Sequence, residues 1–365
     1  MHTTPFAPRQ FLPQIIDLTD TAQLAPIFDR LDQNLAAVST VAELEQWLAD
    51  HSEVCAALGE SSSLTYIAMT CQTDDPAREK AYLHIVEVVD PWLKPRQFAL
   101  MQKLAALPLF QKLPPFYDVY RRSVEAQVKI YREENVARET TVAKLTQQYQ
   151  KISGAMTVQF EGQEQTLARM ARIQEEPDRS RRQAAWETVT TRRLQDADKL
   201  ENLFDQLLAL RHEIALAAGF ENFRDYTFAN YERFDYTPDD CLKFQAAIEH
   251  HIVPLARAMQ EERRRNLGVD KLRPWDLGVD PDHLPPLRPF EHSPELVEKC
   301  QRIFSQLDPR LGTYFEILRK QELVDLDNRK GKAPGGYQST LPEARVPFIF
   351  MNAVGAHRDV ETLLH

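Results

Sequence analysis

Apolar positions recur at spacings of three and four along most of this 365-residue chain. Leu24, Ile27, Phe28, Leu31 and Leu35 predict an amphipathic helix after a loosely held arm at residues 1–16. Thr40 and Glu43 form a Thr-x-x-Glu pair, in which each side chain can bond the other's backbone N–H. A second helix therefore opens there, with Leu44, Trp47 and Leu48 inside. Helical periodicity runs on to about Leu107, where Pro108, Pro114 and Pro115 interrupt it. Tyr120 to Tyr149 reads as further helix. The period then changes. Val158 and Phe160 alternate with polar residues and Glu161-Gly162 stands at a bend, so Met156 to Leu167 predicts a β-hairpin.

Pro177-Asp178 starts the next helix, which carries Trp186 and Val189. Leu203, Leu207, Leu210 and Ile214 give a long helix, with Gly219 placed as its C-terminal stop. Thr237, Pro238 and Asp240 make another helix start, and Phe244, Ile248, Ile252 and Leu255 form the expected inner face, with a kink at Pro254. The aromatic residues from Phe220 to Tyr236 read as packing around a helix–helix corner. Residues 268–294 are rich in proline and turns, an ordered surface loop. Leu296, Cys300, Ile303 and Leu307 mark one more helix, and Leu311 to Lys320 the next.

The last stretch, GKAPGGYQSTLPEARVPFIFMNAVGAHRDVETLLH, behaves differently. Gly335-Gly336 permits backbone bends that a side chain would forbid. Val346 to Met351 is a short apolar run centred on Phe348, Ile349 and Phe350, which fits a buried strand, with Pro347 suited to a strand start or edge. Asp359 is an N-cap candidate for a final short helix with Val360, Leu363 and Leu364 on its apolar side. Helices shorter than ~12–15 residues are marginal in isolation. A helix stopping at His365 with Leu363 and Leu364 bare therefore reads as a fragment, a split gene or a truncation.

Composition narrows the class. Hydrophobic residues make up 43%, enough for a sizeable core, and only 11 glycines occur. The net charge of −10 argues against nucleic acid. The basic runs Arg179 to Arg182 and Arg263 to Arg265 are flanked by acids and read as solvated helix faces. Cys55, Cys71, Cys241 and Cys300 are far apart, which fits a reducing, cytoplasmic setting. No secretory signal opens the chain and no apolar run reaches membrane-spanning length, so no membrane partner is expected.

The segment from Asp325 to His365 resembles the lead-in to the zinc helix of the oligoendopeptidase F family, relatives of thimet oligopeptidase and neurolysin. The resemblance rests on RKGKAPGGY at Arg329 to Tyr337, PFIFMN at Pro347 to Asn352, and GAHRDVETLLH at Gly355 to His365. GAMTVQFEGQEQTL, PDRSRRQAAW and RPWDLGVDP are family-like passages earlier in the chain. The resemblance implies a mainly α fold. A multi-helix N-terminal domain with a small β-hairpin, residues 1–200, precedes the first part of a zincin-type catalytic domain with a short sheet, residues 201–365.

It also implies hydrolysis of short peptides by metal-activated water. The family motif is His-Glu-x-x-His, whose members four apart share a helical face. By resemblance His365 is its first zinc ligand. The general-base Glu and two further ligands have no counterpart, so no catalytic residue is assigned and tight Zn2+ binding by this chain alone is not expected. The strand Val346 to Ala353 is expected to pair with extended substrate as an edge strand, with Asn352 and Ala353 as contacts and Tyr337, Gly335 and Gly336 nearby. No other residues replace the motif. His212-Glu213 is followed by Leu216 where a second ligand would stand, and the adjacent His250-His251 diverge on a helix. Two rival readings are a non-catalytic peptide- or partner-binding scaffold and one half of an enzyme whose C-terminal half is encoded separately.

Overall fold

The computed structural model describes residues 5–365. The chain is helical over most of its length, and two small sheets interrupt the helices. The first helices are α1 (Thr21–Ala37), α2 (Val41–Cys71), α3 (Pro76–His84) and α4 (Asp90–Ala106). The inner faces of α1, α2 and α4 close one apolar core that includes Leu24, Leu31, Leu44, Trp47 and Phe110. The Thr40–Glu43 capping box is present: Thr40 Oγ1 accepts from the Glu43 N–H, and the Glu43 carboxylate accepts from the Thr40 N–H. A single π-turn at Ile85–Val89 joins α3 to α4.

After the prolines come α5 (Asp118–Ile130) and α6 (Glu133–Gly154), then the predicted hairpin of β1 (Thr157–Phe160) and β2 (Gln163–Thr166). Glu161 and Gly162 both take positive φ, 50° and 79°, as a two-residue turn between twisted strands requires. Next are α7 (Leu167–Ile173), α8 (Arg179–Leu194), α9 (Ala197–Ala217) and α10 (Phe223–Asn230). Gly219, at φ 86°, follows α9 as expected. Tyr226 is buried among Phe220 and Phe223, whereas Tyr231 and Tyr236 lie in solvent.

Two expectations change here. Arg182 is buried and belongs to no solvated face. It donates to Asp276, the Trp275 carbonyl and the carbonyls of Glu176 and Pro177, while Arg179 grips both oxygens of the fully buried Asp276. The partner lies more than ninety residues away, so local charge pattern could not reveal it. The second change concerns α11 (Pro238–Ala247) and α12 (Val253–Asn266), joined through a π-turn at Ile248–Ile252. Neither contains a buried residue. Phe244, Ile248, Ile252 and Leu255 share a face as predicted, yet that face is open, with Phe244 66% and Leu255 61% exposed.

The last part contains α13 (Ser293–Leu307), α14 (Pro309–Lys320), β3 (Val324–Asp327), β4 (Tyr337–Leu341), β5 (Val346–Ala353) and α15 (His357–Leu364). The sheet order is β3-β5-β4, with β3 parallel and β4 antiparallel to β5. The strand expected at an edge is therefore central. β3 and β4 escaped the sequence pattern because they are short and half polar. Pro347 is tolerated because pairing with β3 begins only at Ile349, leaving β4 alone beside it. Leu363 is buried against Phe290, Leu296, Met351 and Ala353, so α15 docks its apolar face on the sheet and α13.

Candidate functional site

The loop from Asn328 to Gly336 is held in place from several sides. Gly331 N–H donates to the Gly154 carbonyl at 3.1 Å, and the Gly331 carbonyl accepts from Thr73 N–H at 2.6 Å. Ala333 N–H donates to the Thr70 carbonyl at 2.8 Å. The ends of α2 and α6 thus fix the loop against the sheet. Gly331 and Gly335 take φ of 78° and 85°, a region that disfavours any side chain. Gly336 is needed for a different reason: an added Cβ would come within 3.2 Å of the Phe350 carbonyl oxygen.

Beneath this loop lies a buried ion cluster. The Lys332 side chain is 0% exposed. Its ammonium donates to Asp325 Oδ1 at 2.8 Å and to the carbonyls of Asp325, Asp327 and Met351, and it sits 4.5 Å from the Phe350 ring centroid. Arg329 holds both Asp325 oxygens at 2.6 and 2.7 Å and reaches the Cys71 carbonyl. Burial alone would raise the Asp325 carboxyl. Hydrogen bonds from Arg329, Lys332 and Cys71 outweigh it and hold the group far below the usual carboxylate range. The same burial, with the Asp325 carboxylate alongside, pushes the Cys71 thiol up to about 12.

Two of the predicted contacts, and not Gly336, fall on a cleft of about 710 Å³. Gly335 and Asn352 line it, with Asn328, Thr166, Pro334 and Arg358. Asn352 Nδ2 donates to the carbonyls of Ala333 and Gly335 at 2.9 and 2.8 Å, and its Oδ1 accepts from Asn328 Nδ2 at 2.9 Å. Asn328 Oδ1 in turn accepts from the Thr166 hydroxyl. Both Asn352 N–H groups are therefore used on the loop, and the residue shapes the wall of the cleft. Asn328 and Thr166 were not legible as site residues: the sequence offered only a hairpin end and a loop start.

Tyr337 and Ala353 do not line this cleft. Tyr337 stacks on Phe350 at 4.6 Å, and its hydroxyl is 2.6 Å from Thr70 Oγ1. Ala353 is buried at the end of β5, where its carbonyl accepts from Asn328 N–H. His365 is exposed at the end of α15. Glu361 meets His357 at 3.5 Å, and its backbone carbonyl accepts from the His365 N–H. A larger groove, about 1130 Å³, runs along β3 between α2 and α13 and holds none of the predicted contacts.

A catalytic zinc site needs three protein ligands. Among the described residues no three His, Cys, Asp or Glu side chains converge to hold a metal ion. His212 and Glu213 are exposed, and Glu213 pairs with Arg138. The rings of His250 and His251 meet edge to face in solvent. The described residues alone therefore do not fit the metal that the resemblance implies.

The profile of peptidase family M3 matches residues 172–365, more than half of the chain. The chain belongs to peptidase family M3. Among solved structures, PZ peptidase A, determined with an inhibitor, is 28% identical with a TM-score of 0.90, covering 97% of this chain and 63% of that one. An oligoendopeptidase F structure is also 28% identical with a TM-score of 0.90, covering 97% and 62%. A third, described as an oligoendopeptidase F from Bacillus anthracis str. Ames, is 24% identical at a TM-score of 0.90, covers 96% and 64%, and speaks to fold alone. The chain thus spans less than two thirds of the length of each. No curated protein matches it. The mainly α architecture with two small sheets is that of an M3 peptidase, and the M3 match takes in β3, β5 and α15. Among the described residues no helix is long and apolar enough to cross a membrane.

Proposed function

We propose that this chain is the substrate-holding part of a zinc-dependent oligoendopeptidase that hydrolyses short peptides in the cytoplasm. Residues 1–200 form its helical N-terminal domain and residues 201–365 the first part of its catalytic domain. His365 is its first zinc ligand, and the general base and other ligands come from polypeptide outside these residues. The M3 match over 172–365, running through the sheet into α15, is the observation that carries this reading. Gly335, Gly336 and Asn352 keep the cleft wall in shape, while the backbone around Ala353 and the Tyr337–Phe350 stack brace β5 behind it.

Two measurements test this. A fluorescent peptide of six to nine residues should bind the purified chain saturably, and an absence of binding overturns the peptide reading. The 365-residue polypeptide with added Zn2+ should show no cleavage that a chelator abolishes. Chelator-sensitive cleavage overturns the assignment of the missing ligands to other polypeptide.

The open stripe of Phe244, Ile248, Ile252, Leu255 and Met259 favours a partner as well. A lone amphipathic helix gains most of its stability by burying such a face. The occupant that fits is a polypeptide equivalent to the part of PZ peptidase A that this chain does not match. Co-purification of that polypeptide with the chain supports the pairing, and a chain that stays monomeric beside it counts against it.

A further inference from the structure

The cleft beside β5 is lined by four basic side chains, Arg193, Arg329, Lys332 and Arg358, and by no acidic one. In a chain of net charge −10 that is a marked local reversal. Two of the four cations are already engaged, because Arg329 and Lys332 share the one Asp325 carboxylate. The acids near the other two are engaged elsewhere. Asp196 pairs with Arg192 and Lys199, Asp359 accepts from the N–H groups of Val354 and Ala356, and Glu361 pairs with His357. Arg193, in the last turn of α8, and Arg358, in the first turn of α15, are both exposed. Among the described residues neither guanidinium has an ion pair or a hydrogen bond. The amides of Asn328 and Asn352 bond each other and the loop carbonyls. Below them the cleft is apolar, with Met156 buried and Leu167 and Leu200 half-buried.

The geometry points to a subsite for the free C-terminal carboxylate of a peptide, gripped by Arg193 and Arg358, with the peptide's last side chain on the apolar floor. Guanidinium groups suit this ligand because their planar fork of N–H donors matches a carboxylate's two oxygens. The inference rests on the peptide-binding reading above and adds a substrate class. Short peptides ending in an apolar residue fit, whereas chain segments in the middle of a protein lack the charge.

The test uses two peptides of seven residues ending in Leu, labelled with fluorescein at the N-terminus, one a free acid and one a C-terminal amide. Fluorescence anisotropy with the 365-residue chain reads both affinities. The amide is expected to bind about tenfold more weakly, the factor that a charge-assisted contact of ~1.4 kcal/mol gives. Arg193→Gln and Arg358→Gln should each bring the free acid towards the amide's affinity while leaving the amide's affinity as it was. Arg193→Lys, which keeps the charge, should retain part of the difference. Circular dichroism confirms that the variants are folded.

Equal affinity for the two peptides overturns the subsite, as does an equal loss for both in the variants. Displacement by inorganic phosphate without any acid–amide difference shows a general anion site and also overturns it. If neither peptide binds, the peptide-binding reading fails first, and the subsite falls with it.

Discussion

Lys332 shows how much one residue can hold together here. Its ammonium is buried, yet it bonds a carboxylate and three backbone carbonyls from two strands. Removing one member of a buried pair leaves the other charged and unpaired, at a cost of about 3 kcal/mol or more. Lys332→Met should therefore lower unfolding free energy by roughly that amount in urea titration, and an effect within experimental error would show the cluster to be dispensable. The cysteines give a second check at this scale. Burial raises the thiols of Cys55 and Cys300 to about 11 and that of Cys71 to about 12. The thiolate is the reactive form. A thiol reagent at pH 8 should modify these three only after unfolding, with Cys241 on α11 reacting first; rapid native labelling of Cys71 would contradict its placement.

At the scale of elements, the sheet and its loop are fixed by contacts from the end of α2 and the end of α6. Gly154 closes α6 against the loop, and an added Cβ there would lie 2.9 Å from the Lys332 carbonyl oxygen and 3.0 Å from Thr73 Oγ1. Gly154→Ala should destabilise by about 1–3 kcal/mol, as overpacking does, measured by thermal unfolding; an unchanged midpoint would mean that the loop shifts freely. The pH response belongs to this scale too. Asp325 has a folded-state pKa held below its unfolded value, so its stabilising contribution is complete only above about pH 5 and is lost progressively as pH falls further. The stability difference between the native chain and Asp325→Asn should narrow between pH 5 and pH 3. A gap that stays constant over that range would deny the ion cluster its role.

These elements also show what the sequence could reveal. The helices of the N-terminal part, the Glu161-Gly162 hairpin, both Thr-initiated caps and the burial of Phe348 and Phe350 all follow from local pattern, because spacing and turn chemistry act over a few residues. The placement of β5 between β3 and β4, the burial of Arg182 on Asp276 and the Asp325–Lys332 cluster do not. Each depends on partners set by tertiary packing, and in β3 the alternating aspartates conceal a strand. Of the candidate site, Gly335 and Asn352 could be named from the family motif. Asn328, Thr166, Arg193 and Arg358 come to the same cleft from a loop, a strand and two helices, with no spacing to announce them.

At the scale of the whole molecule, a scaffold of helices carries one three-stranded sheet. The sheet's central strand leads into α15, and the cleft beside it pairs apolar floor with unneutralised positive charge. Family M3 membership and this cleft together make peptide binding the central claim. The most direct measurement is the affinity of a short free-acid peptide for the purified 365-residue chain, read by anisotropy beside its C-terminal amide. Saturable binding that favours the free acid, and that weakens in Arg193→Gln and Arg358→Gln, is the predicted result. No saturable binding of either peptide would contradict the account.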